Sequence, residues 1–222
     1  MEKAQLKRHD LVYLTTEGRR QALRQIAYRY SGDELALVQQ LFTGSVNVPG
    51  IIRRDDSDND GIALGFVPCA RIDGQRLRLG TFTNKDFIYK AQTPYDVLSE
   101  SIIERTKCIQ AAAYVKKLAA NYCLEAGVLG SAALEIVTGL PYTDDASDLD
   151  ILLKPASYDK LYGFYKKARQ VLAGINMDFE LDLPNGYGVK LAEIFMETQT
   201  VLGKSLNDVN LLAKADVLKF LK

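Results

Sequence analysis

Two aspartates separated by one leucine carry the strongest chemical signal in the sequence. Asp148 and Asp150 lie in the segment SDLDILL, residues 147–153. In a strand, side chains alternate between two faces, so both carboxylates share one face while Leu149 and Ile151 enter the core. Like charges on one face repel unless water, a proton or a cation compensates them, and Mg²⁺ or Mn²⁺ prefers such oxygen ligands. The pair predicts a metal site, although the same pattern alone also fits a solvated strand end.

A glycine-serine pair upstream, Gly130 and Ser131, adds a second element of chemistry. Glycine has no side chain, so its backbone can approach a phosphate closely. Its N–H group and the serine hydroxyl can then bind terminal phosphates. We therefore predict a triphosphate cradle that faces the metal pair.

A third carboxylate is available in the segment NMDFELDL, residues 176–183. Strict alternation places Asp178, Glu180 and Asp182 on one face of a strand and Phe179 and Leu181 on the other. We assign Glu180 as the third metal ligand, with Asp178 as the alternative.

Hydrophobic periodicity predicts the elements that hold these residues. An apolar-periodic stretch over 97–126 should turn Ile102, Ile103, Ile109, Ala113 and Leu118 inward. After it we predict a Gly-Ser turn at 130–131, helices at 132–138 and 157–172, strands at 149–153 and 176–183, and closing helices. Alternating helix and strand indicates an α/β-type layer.

The N-terminal half reads differently. After an apolar run at 11–14, a helix over 17–30 is ended by Ser31-Gly32-Asp33, and residues 34–90 alternate short apolar runs at 50–52, 62–66 and 77–79 with turns. The pattern changes near residue 92. We predict an α+β protein, with a small helix-plus-sheet domain at 1–92 and a catalytic α/β domain at 93–222.

Composition excludes several classes of protein. The 222 residues carry 28 basic and 28 acidic side chains, so no global field favours nucleic acid or an anionic membrane. Three widely spaced cysteines lack zinc or dithiol spacing, and we expect reduced thiols. No secretory signal and no apolar run of about 20 residues is present, which predicts a cytoplasmic protein without a membrane span.

Four familiar motifs are incomplete. The acidic loop 56–61 begins like a calcium loop but has Val67 at the twelfth position. The segment 203–205 ends like a phosphate-binding loop without its first glycine, and 186–188 begins like a dinucleotide fingerprint without its third. We interpret the acidic loop as a solvated hairpin loop and 186–188 as a turn between a strand and a helix. The segment 203–205 is not expected to form a Walker-type phosphate site. The single histidine, His9, is interpreted as a polar or packed residue, with contact to a ligand left open.

The glycine-serine pair, the Asp-Leu-Asp strand and the acidic strand after it together resemble the nucleotidyltransferase fold of the polymerase β superfamily. The resemblance covers residues 93–222. The run GSAALEIVTGLPYTDDASDLDILL, residues 130–153, is similar to the malonate decarboxylase holo-[acyl-carrier-protein] synthases, a family of phosphoribosyl-dephospho-CoA transferases. Shorter similarities lie at 8–11, at 53–54, and at 178–180 followed by 184–186.

The resemblance implies that the donor is 2′-(5″-triphosphoribosyl)-3′-dephospho-CoA, that the acceptor is a serine of the malonate decarboxylase acyl carrier protein, and that pyrophosphate is released. Further candidates for donor binding are Glu135, Arg53, Arg54 and Lys204. A paired arginine at a strand end also fits a solvated face. Two alternatives stay open, a nucleotidyltransferase that uses ATP on another acceptor and a nucleotide-binding module without turnover.

Overall fold

The computed structural model describes residues 6–54 and 61–221. The chain divides into two compact units, here called the first unit (Met1–Thr93 with Thr138–Tyr142) and the second unit (Pro94–Val137 with Thr143–Lys222). Residues 138–142, grouped by sequence with the second half, therefore cluster with the first. The acidic loop 56–60 lies outside the described residues.

The first unit pairs two helices with an antiparallel five-stranded sheet. Its elements are β1 (Leu11–Leu14), α1 (Thr16–Ala27), α2 (Gly32–Thr43), β2 (Gly50–Ile52), β3 (Ile62–Phe66), β4 (Leu79–Thr83), a 3₁₀ turn (Lys85–Phe87) and β5 (Ile88–Gln92). The strand order is β4-β3-β2-β1-β5. The core of this unit includes the fully buried Val12, Ile26, Val38 and Leu64.

Two predictions for the first unit need correction. The segment 31–33, predicted only to end a helix, also begins the next one. Ser31 is the extended N-cap of α2, and Asp33 and Glu34 lie in its first turn. The strand expected at 77–79 lies instead at 79–83. Pairing fixes this position, since β3 and β4 run in register from Phe66 opposite Leu79 to Ile62 opposite Thr83.

The second unit carries the predicted chemical residues on a six-stranded sheet. Its elements are α3 (Pro94–Ser99), α4 (Lys107–Asn121), β6 (Ala126–Val128), α5 (Gly130–Thr138, whose last residue clusters with the first unit), β7 (Leu149–Leu153), α6 (Tyr158–Val171), β8 (Met177–Asp182), β9 (Gly188–Lys190), α7 (Leu191–Phe195), β10 (Thr200–Lys204), β11 (Val209–Ala213) and α8 (Lys214–Leu218). The order is β11-β10-β9-β8-β7-β6. Only β7 and β8 are parallel among these described strands, and α6 connects them.

The structure confirms the strand at 149–153 and the α+β class. Three other predictions for this unit need correction. The stretch 97–126 is two helices, and Ile103, expected inward, is 83% exposed. Thr106 begins the second of these helices, because its hydroxyl accepts a hydrogen bond from the Ile109 N–H and caps α4. The helical pattern is therefore interrupted before this residue. The C-terminal segment contains the hairpin of β10 and β11 as well as short helices. The turn expected between a strand and a helix at 186–188 instead leads from β8 into β9, which begins at Gly188.

A layer of large side chains separates α6 from the acidic face of the sheet. Leu149, Ile151 and Leu153 are fully buried on one side of β7. On the same side of β8, Phe179 meets Phe164 of α6 with ring centroids 5.7 Å apart. Because this side is filled by the core, alternation leaves the acidic side chains of both strands on the other side.

Two further findings concern chemistry and membranes. Cys69, Cys108 and Cys123 form no disulfide, in agreement with the expected thiols. No helix among residues 6–54 and 61–221 has the length and apolar character that a membrane crossing requires.

Candidate active site

The acidic pair lies at the beginning of β7. Asp148 is exposed immediately before the strand, and Asp150 is half-buried within it. Leu149 anchors the strand between them, with its N–H donating to the Asn176 carbonyl at 2.9 Å. The two carboxylates are therefore held by one buried backbone ladder, as the alternation predicts.

The register with β8 determines which acidic residue lies beside the pair. Asp150 is directly opposite Asp178, whereas Glu180 is opposite Leu152. Residues opposite each other in a ladder point to the same side and are nearest neighbours. The register therefore favours Asp178 over Glu180 as the neighbour of Asp150.

Asp182, the last acidic residue of β8, is committed to other partners. Its carboxylate accepts a hydrogen bond from the Tyr95 hydroxyl at 3.0 Å and pairs with Lys154. Burial, with Asp182 as a further cause, raises the pKa of Tyr95 above its ordinary value. This cluster fixes α3 against the sheet and leaves Asp178 and Glu180 as the candidates for a third ligand.

The structure brings Gly130 directly against the acidic pair. Gly130 begins α5 with a φ of +62°, and a side chain there would place its Cβ 3.2 Å from Asp150 Oδ2. The preceding residue, Leu129, donates its N–H to the Asp150 carbonyl at 3.0 Å. Glycine thus supplies both the backbone conformation and the open space that a phosphate beside Asp150 requires. Ser131, half-buried, follows in the first turn of the helix.

Lys190 is a cation at this face that the sequence analysis did not identify. Its Nζ lies 2.7 Å from Asp178 Oδ2, and both side chains are half exposed. The hydrogen bond to Asp178 is the largest cause that raises the pKa of Lys190, and Asp150 contributes. A lone lysine in a short strand has no spacing signal, so only the pairing of β8 with β9 reveals it.

The loop that leads into Asp148 is held by a buried carboxylate. Glu135 of α5 is 7% exposed and accepts from Arg105 through both oxygens, each at 2.9 Å. It also accepts from the Thr143 N–H at 2.6 Å and from the Thr143 hydroxyl at 2.8 Å. Arg105 reaches the Thr143 carbonyl as well. Glu135, a sequence candidate for donor binding, is here engaged in fixing Thr143, five residues before Asp148.

Cys108 shows the negative field of the same region. Its thiol donates to the Asp148 carbonyl at 3.3 Å. Burial, followed by the charges of Glu135, Asp150 and Asp148, raises the pKa of this thiol to about 12. Cys108 therefore stays protonated at neutral pH and supports the backbone of Asp148 rather than serving as a nucleophile.

We expect Glu135→Gln to destabilise the protein by roughly 1–3 kcal/mol, because it removes the charge that Arg105 and Thr143 bind in a buried place. Burial alone would raise the pKa of Glu135, but the hydrogen bonds from Arg105 and Thr143 outweigh it and lower the pKa below the ordinary 4.5. The stabilisation is thus fully present above about pH 4.5 and is lost as the pH falls through the lowered pKa.

Denaturant unfolding of both proteins between pH 3 and pH 7 measures this effect. The difference between wild type and Glu135→Gln should shrink at the acidic end. Glu197→Gln, at an exposed position, serves as the control and should match wild type throughout. A pH-independent difference would mean that the charge of Glu135 is not what stabilises the loop.

The remaining sequence candidates for donor binding are Arg53, Arg54 and Lys204. Arg53 and Arg54 are exposed residues after β2 in the first unit, and Arg53 packs across Gly80, where an added Cβ would lie 3.1 Å from Nη2. Lys204 is exposed at the end of β10, opposite Gly188. It is three strands from β7, about 14 Å at normal strand spacing. Within the second unit, Lys204 is therefore separated from the acidic pair, whereas Arg53 and Arg54 belong to the first unit.

The donor set fits a hard divalent cation by its chemistry. Asp148, Asp150 and Asp178 offer carboxylate oxygens at neighbouring positions of one face, beside a glycine backbone. Within residues 6–54 and 61–221, no three His, Cys, Asp or Glu side chains converge tightly enough to form a metal cluster. Asp178 faces Lys190 in this conformation, and a third ligand would exchange that partner for the metal.

Comparison with known proteins shows the class of the chain. Residues 97–215, more than half of the sequence, match the family described as "Phosphoribosyl-dephospho-CoA transferase MdcG C-terminal domain". A family of this kind consists of transferase enzymes. The chain belongs to the MdcG family of phosphoribosyl-dephospho-CoA transferases.

Individual relatives extend the match to both units. Proteins named phosphoribosyl-dephospho-CoA transferase from Xanthomonas campestris pv. campestris strains 8004 and ATCC 33913 are each 30% identical over 93% of this chain and 94% of their own. A protein of the same name from Xanthomonas axonopodis pv. citri strain 306 is 28% identical, over 94% of each chain. No solved structure matches the chain significantly.

Proposed function

We propose that this protein transfers the phosphoribosyl-dephospho-CoA group from 2′-(5″-triphosphoribosyl)-3′-dephospho-CoA to a serine of the malonate decarboxylase acyl carrier protein. The observation that carries the proposal is the closeness of Gly130 to Asp150, whose Oδ2 would lie 3.2 Å from a Cβ added at position 130, in a chain of this family. It places a backbone suited to phosphate beside a carboxylate pair suited to a cation. We further propose that the second unit is a nucleotidyltransferase-type fold.

The transfer replaces a phosphoanhydride bond by a phosphoester bond. The serine oxygen forms a bond to the phosphorus next to the ribose, the bond from that phosphorus to the leaving pyrophosphate breaks, and the serine proton is released. Such reactions depend mainly on positioning and on stabilisation of the phosphate charge. The residues of the second unit are arranged for those two tasks.

Asp148 and Asp150, with Asp178 or Glu180 as a third ligand, would hold Mg²⁺ or Mn²⁺. When bound, such ions neutralise charge on the transferred phosphate and on the leaving pyrophosphate. Gly130 and Ser131 bind the triphosphate oxygens through the start of α5. Lys190, which pairs with Asp178 at 2.7 Å, would offer a positive charge to the departing pyrophosphate at this face.

The glutamate network keeps this arrangement in place. Glu135 belongs to the same helix as Gly130 and fixes Thr143 in the loop before Asp148. One side chain thus connects the phosphate-binding end of α5 with the acidic pair. Its role is to position Asp148, and it does not contact the substrate.

Mass spectrometry of the carrier protein tests the proposal. Incubation with the triphosphoribosyl donor and Mg²⁺ should add the phosphoribosyl-dephospho-CoA group to the carrier and release one pyrophosphate per modification. EDTA should abolish the reaction, and added Mg²⁺ or Mn²⁺ should restore it. A carrier whose acceptor serine is replaced by alanine should stay unmodified. Labelling from ATP alone, or modification of the alanine carrier, would point to a different nucleotidyl transfer.

A further inference from the structure

The first unit contains a cavity of about 490 Å³ that the chemistry of the acidic pair does not use. Its walls are the C-terminal end of α2, the segment after it, the residues that follow β3, and Leu140–Tyr142. All of these residues belong to the first unit. The volume falls in the range of about 300–1,000 Å³ that small-molecule sites occupy.

The lining of the cavity is apolar and uncharged. Leu37, Leu41, Val48 and Leu140 provide aliphatic surface, and among the described residues of the lining there is no Asp, Glu, Lys or Arg. Gln40 and Ser45 are the side chains that could bind amide groups. A phosphate would lose its hydration here without gaining a cation, so the cavity suits the uncharged part of a ligand.

Tyr142 makes one wall of the cavity rigid. Its side chain is fully buried, and its hydroxyl donates to the Val67 carbonyl at 2.8 Å. The guanidinium of Arg76 covers its ring at 5.6 Å, and burial raises the pKa of the phenol. The ring is therefore occupied on its face and at its hydroxyl. The lining contains no other aromatic residue, so it offers no free ring on which a purine could stack.

We propose that this cavity binds the pantetheine arm of the dephospho-CoA group. The inference rests on the proposed function, which supplies a ligand with three parts. These are the adenosine, the charged phosphates and the uncharged pantetheine arm. The arm has a branched aliphatic segment and two amides, which match the aliphatic lining with its few polar groups. Phosphates are excluded by the absence of cations, and adenine is disfavoured by the absence of an available ring.

The cavity is also connected through the chain to the loop before the acidic pair. Leu140–Tyr142 lie between α5, which begins at Gly130, and Thr143, which Glu135 holds. Tyr142 and Thr143 are consecutive residues.

The test fills the cavity entrance with one large side chain. Ala70 lines the cavity and is exposed, whereas Ala36 is an exposed alanine of α2 outside the lining, so Ala70→Trp and Ala36→Trp form a matched pair. The sequence has no tryptophan, so each variant also reports on its own folding through a single indole. Calorimetry would measure the binding of dephospho-CoA and of ADP, which lacks the arm, to each protein.

Wild type and Ala36→Trp should bind dephospho-CoA at least 10-fold more tightly than ADP, and Ala70→Trp should lose that advantage while its ADP affinity stays unchanged. Ser45→Phe, from another wall, should act like Ala70→Trp. Equal weakening of both ligands would assign the cavity to the adenosine part and overturn the proposal. An unaltered preference in both cavity variants would also overturn it. Failure of wild type to bind dephospho-CoA would reject the proposed function itself.

Discussion

Asp148→Asn and Asp150→Asn should each lower the turnover of carrier modification by roughly 10³-fold, the effect of removing a group that stabilises transition-state charge. An amide keeps the shape of the carboxylate but loses the charge that binds a divalent cation. Both residues lie at the start of β7, whose buried side chains, Leu149 and Ile151, are untouched by the changes. The fold should therefore survive.

The stability of these variants separates a chemical role from a structural one. Removing one charge from a face that also carries Asp178 relieves repulsion, so the melting temperature should stay level or rise slightly. Asp159→Asn, at an exposed position in the first turn of α6, is the matched control and should keep full activity. Near-normal turnover in either Asp148→Asn or Asp150→Asn would show that the metal assignment is wrong.

The segments with strict alternation were predictable because one sequence pattern fixes both burial and direction. The alternation is complete in 177–182 and is broken in 149–153 only by Leu152, which is also buried, and the structure buries Ile151, Phe179 and Leu181 accordingly. The same logic identified the acidic face before any pairing was known. It could not say which acidic residue of β8 adjoins Asp150, because register depends on the neighbouring strand.

Longer apolar stretches were less informative. In 97–126 the helical period continues through Ile102 and Ile103, but the cap at Thr106 and the ion pair of Arg105 with Glu135 decide the local structure. The ion pair joins residues 30 positions apart, which no local pattern can reveal. For the same reason the sequence could suggest Glu135 as important without showing that Thr143 and Arg105 are its partners.

The hairpin of β10 and β11 was missed for a different physical reason. Its outer strand, β11, lies at the edge of the sheet, and its residues, such as Leu211, 72% exposed, do not follow a buried-to-exposed alternation. The inner strand, β10, alternates in burial, but it buries Gly203 and exposes Leu202, so the residue types hide the alternation. An edge strand that buries little gives a weak periodic signal. Its existence follows from pairing with β9, which in turn carries Lys190 to the acidic face.

The third carboxylate should be Asp178, so Asp178→Asn is expected to lower turnover by roughly 10²-fold or more, and Glu180→Gln by much less. Asp178 lies opposite Asp150 in the parallel ladder, while Glu180 lies opposite Leu152, two pairs further from Asp148. The sequence favoured Glu180, since alternation places both residues on the same face and cannot rank them. The register provides the ranking.

A comparison of metal dependence makes the assignment specific. Loss of a ligand should raise the Mg²⁺ concentration needed for half-maximal activity, whereas loss of a merely nearby charge should not. Lys190→Gln removes the partner that Asp178 would have to give up to a metal, so it should lower the Mg²⁺ concentration needed for half-maximal activity, the opposite of the effect of Asp178→Asn. If Glu180→Gln raises the Mg²⁺ requirement more than Asp178→Asn does, the longer glutamate side chain reaches the ion across the ladder, and the third ligand is Glu180.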